Sequence, residues 1–294
     1  MKLKTLLGDY PNTRALKSGQ LGPNGLQFDF ADEKTVNKAF KRVVRELEFD
    51  VAELAIATFL QARAHGKPLV LLPAVVRGKF AHSTLAYNAG RGSLTPSDLP
   101  GRRVGIRAYS QTTPLWVRGI LQNEYGVDLD RVKWITFEDP HVAEYREPAT
   151  AQRAPAGKKA REMLLDGELD AAILSEQRDA GEPRLKPLIP DAQAAALAWY
   201  RKHGVVPINH MVVVKQSLSK SEPAAVAEVF RLLAESKKAA GLPKPGEIDG
   251  FTLGVEACRK ALEMAIRFAV QQRLIPRPFT VDELFDDTTR LLGR

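Results

Sequence analysis

Residues 103–118 read RVGIRAYSQTTPLWVR, a stretch that decides the fold class because it joins a predicted strand to a predicted helix. The alternation up to residue 108 is typical of a short β-strand, and Leu115, Ile120 and Leu121 form the apolar face of a helix. Pro114 suits the first helical position, where its missing N–H costs nothing. A strand that feeds directly into a helix indicates an α/β protein.

The junction itself is a candidate anion site. Thr113 is the expected N-cap, and the free N–H groups of a first helical turn carry partial positive charge. A carboxylate or phosphate bound over Ser110, Thr112 and Thr113 could accept hydrogen bonds from these groups. Arg107 and Arg118 lie on either side of the same stretch. An ordinary capped helix is the alternative interpretation.

Strand-like and helix-like segments alternate along the rest of the chain, which favours α/β layers around mostly parallel sheets. The predicted strands are 3–7, 49–52, 69–76, 103–108, 132–137, 169–174 and 211–214. The predicted helices are 32–47, a helix ending at 64, one ending at 125, 158–165, 192–202, 223–240, 255–273 and 281–292. Thr280 and Glu283 form a capping box before the last helix. The turn-rich passage 88–101 is the best candidate for a crossing between domains.

Composition excludes several classes of protein. The 294 residues are 44% hydrophobic and 27% charged, a normal globular mixture with room for two domains. No apolar run approaches the length of a transmembrane helix, and the residues after Met1 lack the apolar core of a signal peptide. We therefore expect a cytoplasmic protein unless an export signal has been removed. The single cysteine, Cys258, fits a buried, inert thiol. The net charge of +8 comes from scattered basic residues, which argues against nucleic acid and favours small anions.

A second group of ionisable residues follows the predicted strand 132–137, where ligands of open α/β sheets bind. His141 could transfer a proton, and Glu144 or Tyr145 could orient it, with burial and a carboxylate partner tuning its pKa near neutrality. A metal site of Glu138, Asp139 and His141 matches no familiar ligand spacing. A solvated loop is the other alternative.

Further candidates lie at other strand ends. His210 precedes the strand 211–214 and is either a packed histidine or a site residue. Arg14 and Glu53 lie in loops or junctions that follow the first strands, and Arg77 follows the strand 69–76. If two domains face each other across a cleft, we expect Arg14 and Glu53 to face Ser110 and His141.

Several of these stretches resemble 4,5-dihydroxyphthalate decarboxylases, and the likeness extends over nearly the whole chain. The segments concerned are FDVAEL (49–54), VGIRAYSQTT (104–113), WVRGIL (116–121), EYGV (124–127), FEDPHVAEY (137–145) and LDGELDAAI (165–173). The resemblance implies a two-lobed fold like that of the type II periplasmic binding proteins, with a ligand cleft between the lobes. It places residues 1–85 and 206–294 in the first lobe and 86–205 in the second.

The same resemblance implies a cytoplasmic carboxy-lyase that converts 4,5-dihydroxyphthalate to protocatechuate in phthalate degradation. It implies a small aromatic carboxylate as the partner. From the residues themselves we expect no metal or other cofactor and neither nucleic acid nor membrane as a partner, and a homo-oligomer is an open alternative. A solute-binding protein of an ABC transporter, with the same cleft and no chemistry, is the alternative. A third alternative is a relative of the thiamine-precursor proteins with this fold. The sequence lacks the histidine- and cysteine-rich clusters expected of such a protein.

Non-oxidative decarboxylation assigns roles to the candidates. One carboxylate must be held, and the fork of an arginine matches it; a histidine suits the proton transfer to the ring. The expected acid–base residues are His141, His210 and Glu144. The expected carboxylate-binding residues are Arg107, Ser110, Thr112 and Thr113, with Arg77 and Arg118 as second choices and Arg14 and Glu53 nearby.

Overall fold

Two β-sheets form the framework of the protein. The computed structural model of the chain describes residues 1–22, 24–174 and 181–293. The first sheet contains strands β1 (Lys2–Leu6), β2 (Gln27–Phe30), β3 (Val51–Ala55), β4 (Leu69–Gly78) and β11 (Ile208–Lys215) in the order β2-β1-β3-β11-β4. β1 runs parallel to β2 and β3, whereas β11 is antiparallel to both of its neighbours.

The second sheet contains the strands between these segments. They are β5 (Leu85–Asn88), β6 (Arg103–Ile106), β7 (Lys133–Thr136), β8 (Ala151–Arg153), β9 (Ala171–Ile173) and β10 (Leu185–Pro187). Their order is β10-β5-β9-β6-β7-β8, and β6, β7, β8 and β9 are parallel. The chain thus leaves the first sheet after residue 78 and returns at 208; the exact lobe boundaries at 85 and 206 stay a prediction.

Helices cover both sheets. They are α1 (Arg14–Lys17), α2 (Phe40–Arg45), α3 (Ile56–Ala64), α4 (Thr112–Tyr125), α5 (Ala160–Asp166), α6 (Ala192–His203), α7 (Gln216–Ser221), α8 (Pro223–Ala239) and α9 (Val255–Gln271). Among the described residues, no helix has the length and apolar character needed to span a bilayer.

The C-terminal helix α9 connects the two halves. Its Phe268 ring packs edge-on against Trp116 of α4, with ring centres 5.7 Å apart. A Cβ added at Gly119 of α4 would lie 2.0 Å from the Phe268 ring, so the approach of the two helices requires glycine there. Cys258 of the same helix is buried, as predicted, and burial raises the pKa of its thiol to about 11.

Two predicted helices are wrong in extent. Residues 32–47 form a 3-10 turn (Val36–Ala39) and the short α2, and Leu47 adopts a left-handed φ of 51°. The capping box of Thr280 and Glu283 is confirmed, but only 3-10 turns follow it. Phe285 is buried in an extended conformation there, so tertiary packing overrides the helical periodicity.

Candidate active site

Glu53 and His210 form a buried pair on the first sheet. His210 lies opposite Ala55 and Val212 lies opposite Glu53, so both side chains share one face of the sheet as diagonal neighbours. The Nδ1 atom of His210 lies 2.5 Å from Oε1 of Glu53. The pairing of β11 with β4 is irregular on both sides of His210, a distortion that re-aims side chains near functional sites.

Three donors surround the Glu53 carboxylate, which is fully buried. Besides His210, the backbone N–H of Gly8 donates to Oε2 at 2.9 Å and the hydroxyl of Tyr10 donates to Oε1 at 2.8 Å. Burial alone would raise the pKa of Glu53, but these hydrogen bonds and the charge of His210 hold that pKa below its usual value. Burial, reinforced by the Glu53 charge, raises the pKa of Tyr10. The carboxylate is therefore ionised and the phenol is a donor.

His141 reaches the same place from the second sheet, through the segment that follows β7. Its Nδ1 atom lies 2.8 Å from Oγ1 of Thr58 in α3. The ring of Phe40 packs edge-on against both histidines, with ring centres 5.6 Å from His141 and 5.2 Å from His210. Arg45 donates to the backbone carbonyls of His141 and Pro140, both at 2.7 Å. The two histidines thus face one site between the sheets.

The environment of His141 differs from the prediction. Burial, followed by the positive charges of Arg107, Lys41 and Arg45, lowers its pKa to about 3. Among the residues that the structure describes, no carboxylate bonds to His141, and its Nδ1 contacts Thr58 instead. His141 is consequently neutral near pH 7, and a pKa tuned to neutrality was the wrong expectation.

Positive charge accumulates around the pair of histidines. Arg77 lies opposite His210 on β4, and its guanidinium carbon lies 5.2 Å from the Tyr10 ring centre. Within the described part of the chain, no carboxylate pairs with Arg77. Arg107 pairs with Glu138 at 3.1 Å, and its guanidinium also donates to the side-chain oxygen of Asn37. Arg77 is therefore the predicted arginine best placed to receive a substrate carboxylate.

The junction that opens α4 packs against α3. Gln61 donates to the backbone oxygen of Ser110 at 2.9 Å, and the hydroxyl of Thr112 accepts from the N–H of Ala57 at 3.1 Å. The helix begins at Thr112 with Gln111 as its N-cap, so the prediction of Thr113 as N-cap is wrong. Ser110 and Thr112 are buried in the contact between the two halves, and Thr113 is half-buried beside them.

Comparisons with known proteins identify the family of this chain. A 4,5-dihydroxyphthalate decarboxylase of Comamonas testosteroni is 30% identical over 253 residues, covering 82% of this chain and 76% of the relative. This chain belongs to the 4,5-dihydroxyphthalate decarboxylase family. A second such decarboxylase, from Pseudomonas putida, is 28% identical over 214 residues, which is 68% of this chain and 82% of that protein. No family model matches the sequence.

Solved structures establish the fold of this family member. The alkanesulfonate-binding protein SsuA from Xanthomonas axonopodis pv. citri, bound to MOPS, superimposes with a TM-score of 0.64. It is 13% identical, and the match covers 97% of this chain and 98% of SsuA. The expected fold class, a two-lobed α/β fold like that of periplasmic binding proteins, is confirmed.

Three predicted site residues of this decarboxylase-family chain lie outside the site. Arg14 forms an exposed ion pair with Asp9. Glu144 is exposed and pairs with Lys67 at 2.6 Å, so it does not orient His141. Arg118 is fully buried, where Nε donates to Gln272 at 2.8 Å and the guanidinium stacks on Tyr109 at 3.7 Å. A carboxylate cannot reach it without unpacking the interior.

The three residues of the alternative metal site, Glu138, Asp139 and His141, each contact a different partner. Asp139 pairs with Arg153 at 3.0 Å, while Glu138 and His141 contact Arg107 and Thr58. Over residues 1–22, 24–174 and 181–293, no three His, Cys, Asp or Glu side chains come together as metal ligands would.

Thr58, Phe40 and Arg45 are site residues that the sequence patterns did not indicate. One signal could have revealed Thr58. The first seven residues of α3 are all buried, and Thr58 and Gln61 are its polar members among them. A buried polar side chain must find a partner, so the pattern predicts contacts to another element. Arg45 and Phe40 carry no such local signal.

Proposed function

We propose that this protein is a non-oxidative decarboxylase of a dihydroxylated aromatic dicarboxylate, of the 4,5-dihydroxyphthalate to protocatechuate type. The observation that carries the proposal is the buried Glu53–His210 pair beside Arg77, in a chain of the 4,5-dihydroxyphthalate decarboxylase family. A proton donor and a carboxylate-binding cation are the two groups that this reaction needs.

The reaction exchanges CO2 for a proton on the ring. The ring carbon that bears the leaving carboxylate accepts a proton, with electron density supplied by the hydroxyl para to it. The C–C bond to the carboxylate then breaks, its electron pair restores the aromatic ring, and CO2 departs. The enzyme regains the transferred proton from water.

His210, in its doubly protonated form, is the residue that we assign to this proton transfer, because Nδ1 keeps its proton toward Glu53 while Nε2 gives one to the ring carbon. Glu53 accepts the hydrogen bond from Nδ1 and fixes the orientation of the ring. The remaining nitrogen, Nε2, makes no hydrogen bond among the described residues, so it is the atom available to the substrate. Arg77 would hold the retained carboxylate on the same side of the sheet.

A solute-binding protein with the same cleft remains the competing function. Purified protein should be incubated with 4,5-dihydroxyphthalate and with its isomers that carry the two hydroxyls elsewhere, while CO2 and the catechol acid are measured. Release of CO2 from the 4,5-isomer above the uncatalysed rate supports the proposal. Saturable binding with no CO2 release from any isomer would contradict it in favour of a binding protein.

Location and assembly are proposed with the function. We propose that the protein acts in the cytoplasm on a small aromatic carboxylate, without nucleic acid or membrane, as a monomer or homo-oligomer. The excess of positive charge, +8 overall, supports attraction of an anionic substrate.

A further inference from the structure

The contact between Thr58 and His141 is a buried side-chain hydrogen bond between the two halves of the site. Thr58 lies in the first turn of α3, which directly follows the strand that carries Glu53. Both side chains are buried, with 1% of Thr58 and 7% of His141 exposed. Their 2.8 Å separation is a full hydrogen bond.

The direction of this hydrogen bond follows from the available partners. His141 is neutral because burial and neighbouring cations lower its pKa to about 3, so one ring nitrogen carries a proton and the other a lone pair. The hydroxyl of Thr58 makes no other hydrogen bond among the residues that the structure describes. A buried O–H without an acceptor is costly, whereas an unused oxygen lone pair costs less. The hydroxyl therefore donates to Nδ1.

We propose that Thr58 is a positioning residue, which holds His141 in the tautomer with the proton on Nε2 so that His141 donates a hydrogen bond to an anionic substrate oxygen. Nε2 makes no hydrogen bond in the described part of the chain, and the rings of His141 and His210 both pack against Phe40. Arg107, Lys41 and Arg45 add positive charge there. The two histidines would then divide the work: His210 transfers the proton, and His141 binds oxygen. The identity of the substrate rests on the proposed function.

Nitrogen NMR of the histidine rings tests the tautomer directly. Long-range ¹H–¹⁵N spectra would be recorded without substrate at pH 7, and the His141 signals assigned by their loss in His141→Gln. We expect wild type to show an unprotonated Nδ1 and a protonated Nε2. Thr58→Val, which removes the hydroxyl at similar volume, should give a mixture of tautomers, and Thr58→Ser should restore the wild-type pattern.

Turnover provides the second measurement. We expect kcat of Thr58→Val to fall roughly 10- to 100-fold because a misplaced or wrongly protonated ring no longer meets the substrate oxygen. Thr58→Ser should retain kcat within about twofold. The control is Thr5→Val, which removes another buried hydroxyl. Thr5 lies in β1 of the first sheet, and its hydroxyl donates to the backbone oxygen of Leu3 at 3.0 Å. This variant should leave the His141 spectrum and kcat unchanged.

Three results would overturn this inference: a wild-type proton on Nδ1, an unchanged tautomer in Thr58→Val, or full turnover in that variant. The wild-type spectrum decides the tautomer even if Thr58→Val does not fold. Because the spectra need no substrate, a protein with the expected tautomer and no decarboxylation would reject the proposed function and leave the tautomer assignment standing.

Discussion

The Nδ1 atom of His210 lies 2.5 Å from Oε1 of Glu53, across neighbouring antiparallel strands that are 157 residues apart in sequence. The carboxylate is ionised and also accepts from Gly8 and Tyr10, so it cannot rotate away from the histidine. This arrangement fixes one nitrogen of His210 and leaves the other for chemistry.

His210→Asn keeps a hydrogen-bonding side chain but removes the imidazole to which we assign the proton transfer. We expect turnover to fall roughly 100- to 10,000-fold, whereas substrate affinity changes far less. Steady-state kinetics and calorimetric binding would separate the two effects. His65→Asn, at an exposed histidine, is the control and should behave as wild type. Equal turnover in both variants would remove His210 from the mechanism.

Arg77→Ala should weaken substrate binding, because the guanidinium beside Tyr10 would no longer meet the retained carboxylate. A hydrogen bond to a charged group contributes about 1.5 to 3 kcal/mol, so KM should rise roughly 10- to 100-fold. Arg14→Ala removes an arginine already paired with Asp9 at the surface and should leave KM unchanged. A KM shift of the same size in Arg14→Ala would point to a general charge effect.

Thr112→Val and Thr113→Val should have different consequences. Thr112→Val leaves the buried N–H of Ala57 without its acceptor, and we expect about 1 to 3 kcal/mol less unfolding free energy in urea denaturation. Thr113→Val should change stability by less than about 0.5 kcal/mol. If the start of α4 binds a carboxylate, Thr113→Val should instead lower substrate affinity in calorimetry; unchanged affinity would place that carboxylate elsewhere.

We expect the ligand-free protein in solution to populate a more open arrangement than this structure, so ligand binding should compact the protein. The structure holds the two halves together through the Thr58–His141 and Ala57–Thr112 hydrogen bonds, an arrangement that matches a closed cleft. Small-angle scattering should show a smaller radius of gyration once an aromatic dicarboxylate saturates the protein, as hinge closure requires. An identical radius with and without ligand would show a cleft that is already closed.

Acid should destabilise the protein partly through His82, a buried histidine between Phe80 and Trp199. Burial lowers the pKa of His82 to about 4 from the usual 6.5. Between pH 6.5 and 4, His82 is therefore protonated in the unfolded chain but neutral in the folded protein. Stability is lost as pH falls from 6.5 toward 4, by at most roughly 3 kcal/mol.

The variant that tests this is His82→Phe, because phenylalanine cannot titrate and fits an aromatic environment. Its unfolding free energy, measured by urea denaturation from pH 7.5 to 4.5, should fall less than that of wild type. The exposed His65→Asn should follow the wild-type curve. Parallel curves for wild type and His82→Phe would show that His82 titrates normally.

Local pattern determined much of this protein. The strands β3, β4, β6, β7 and β11 and the helices α3, α8 and α9 lie close to where periodicity predicts them, because apolar alternation and apolar helix faces are properties of neighbouring residues. The sequence also contained the motifs of its family and identified His141, His210, Glu53 and Arg77 as strand-end candidates.

Tertiary structure alone decided how these residues are used. Glu53 pairs with His210 and Thr58 with His141 over separations of 157 and 83 residues, contacts that no local pattern contains. Packing also excluded Arg118, whose guanidinium the sequence could not distinguish from that of Arg77. Periodicity records which face of an element is apolar, but partner choice and burial of a polar group depend on the elements that pack against it.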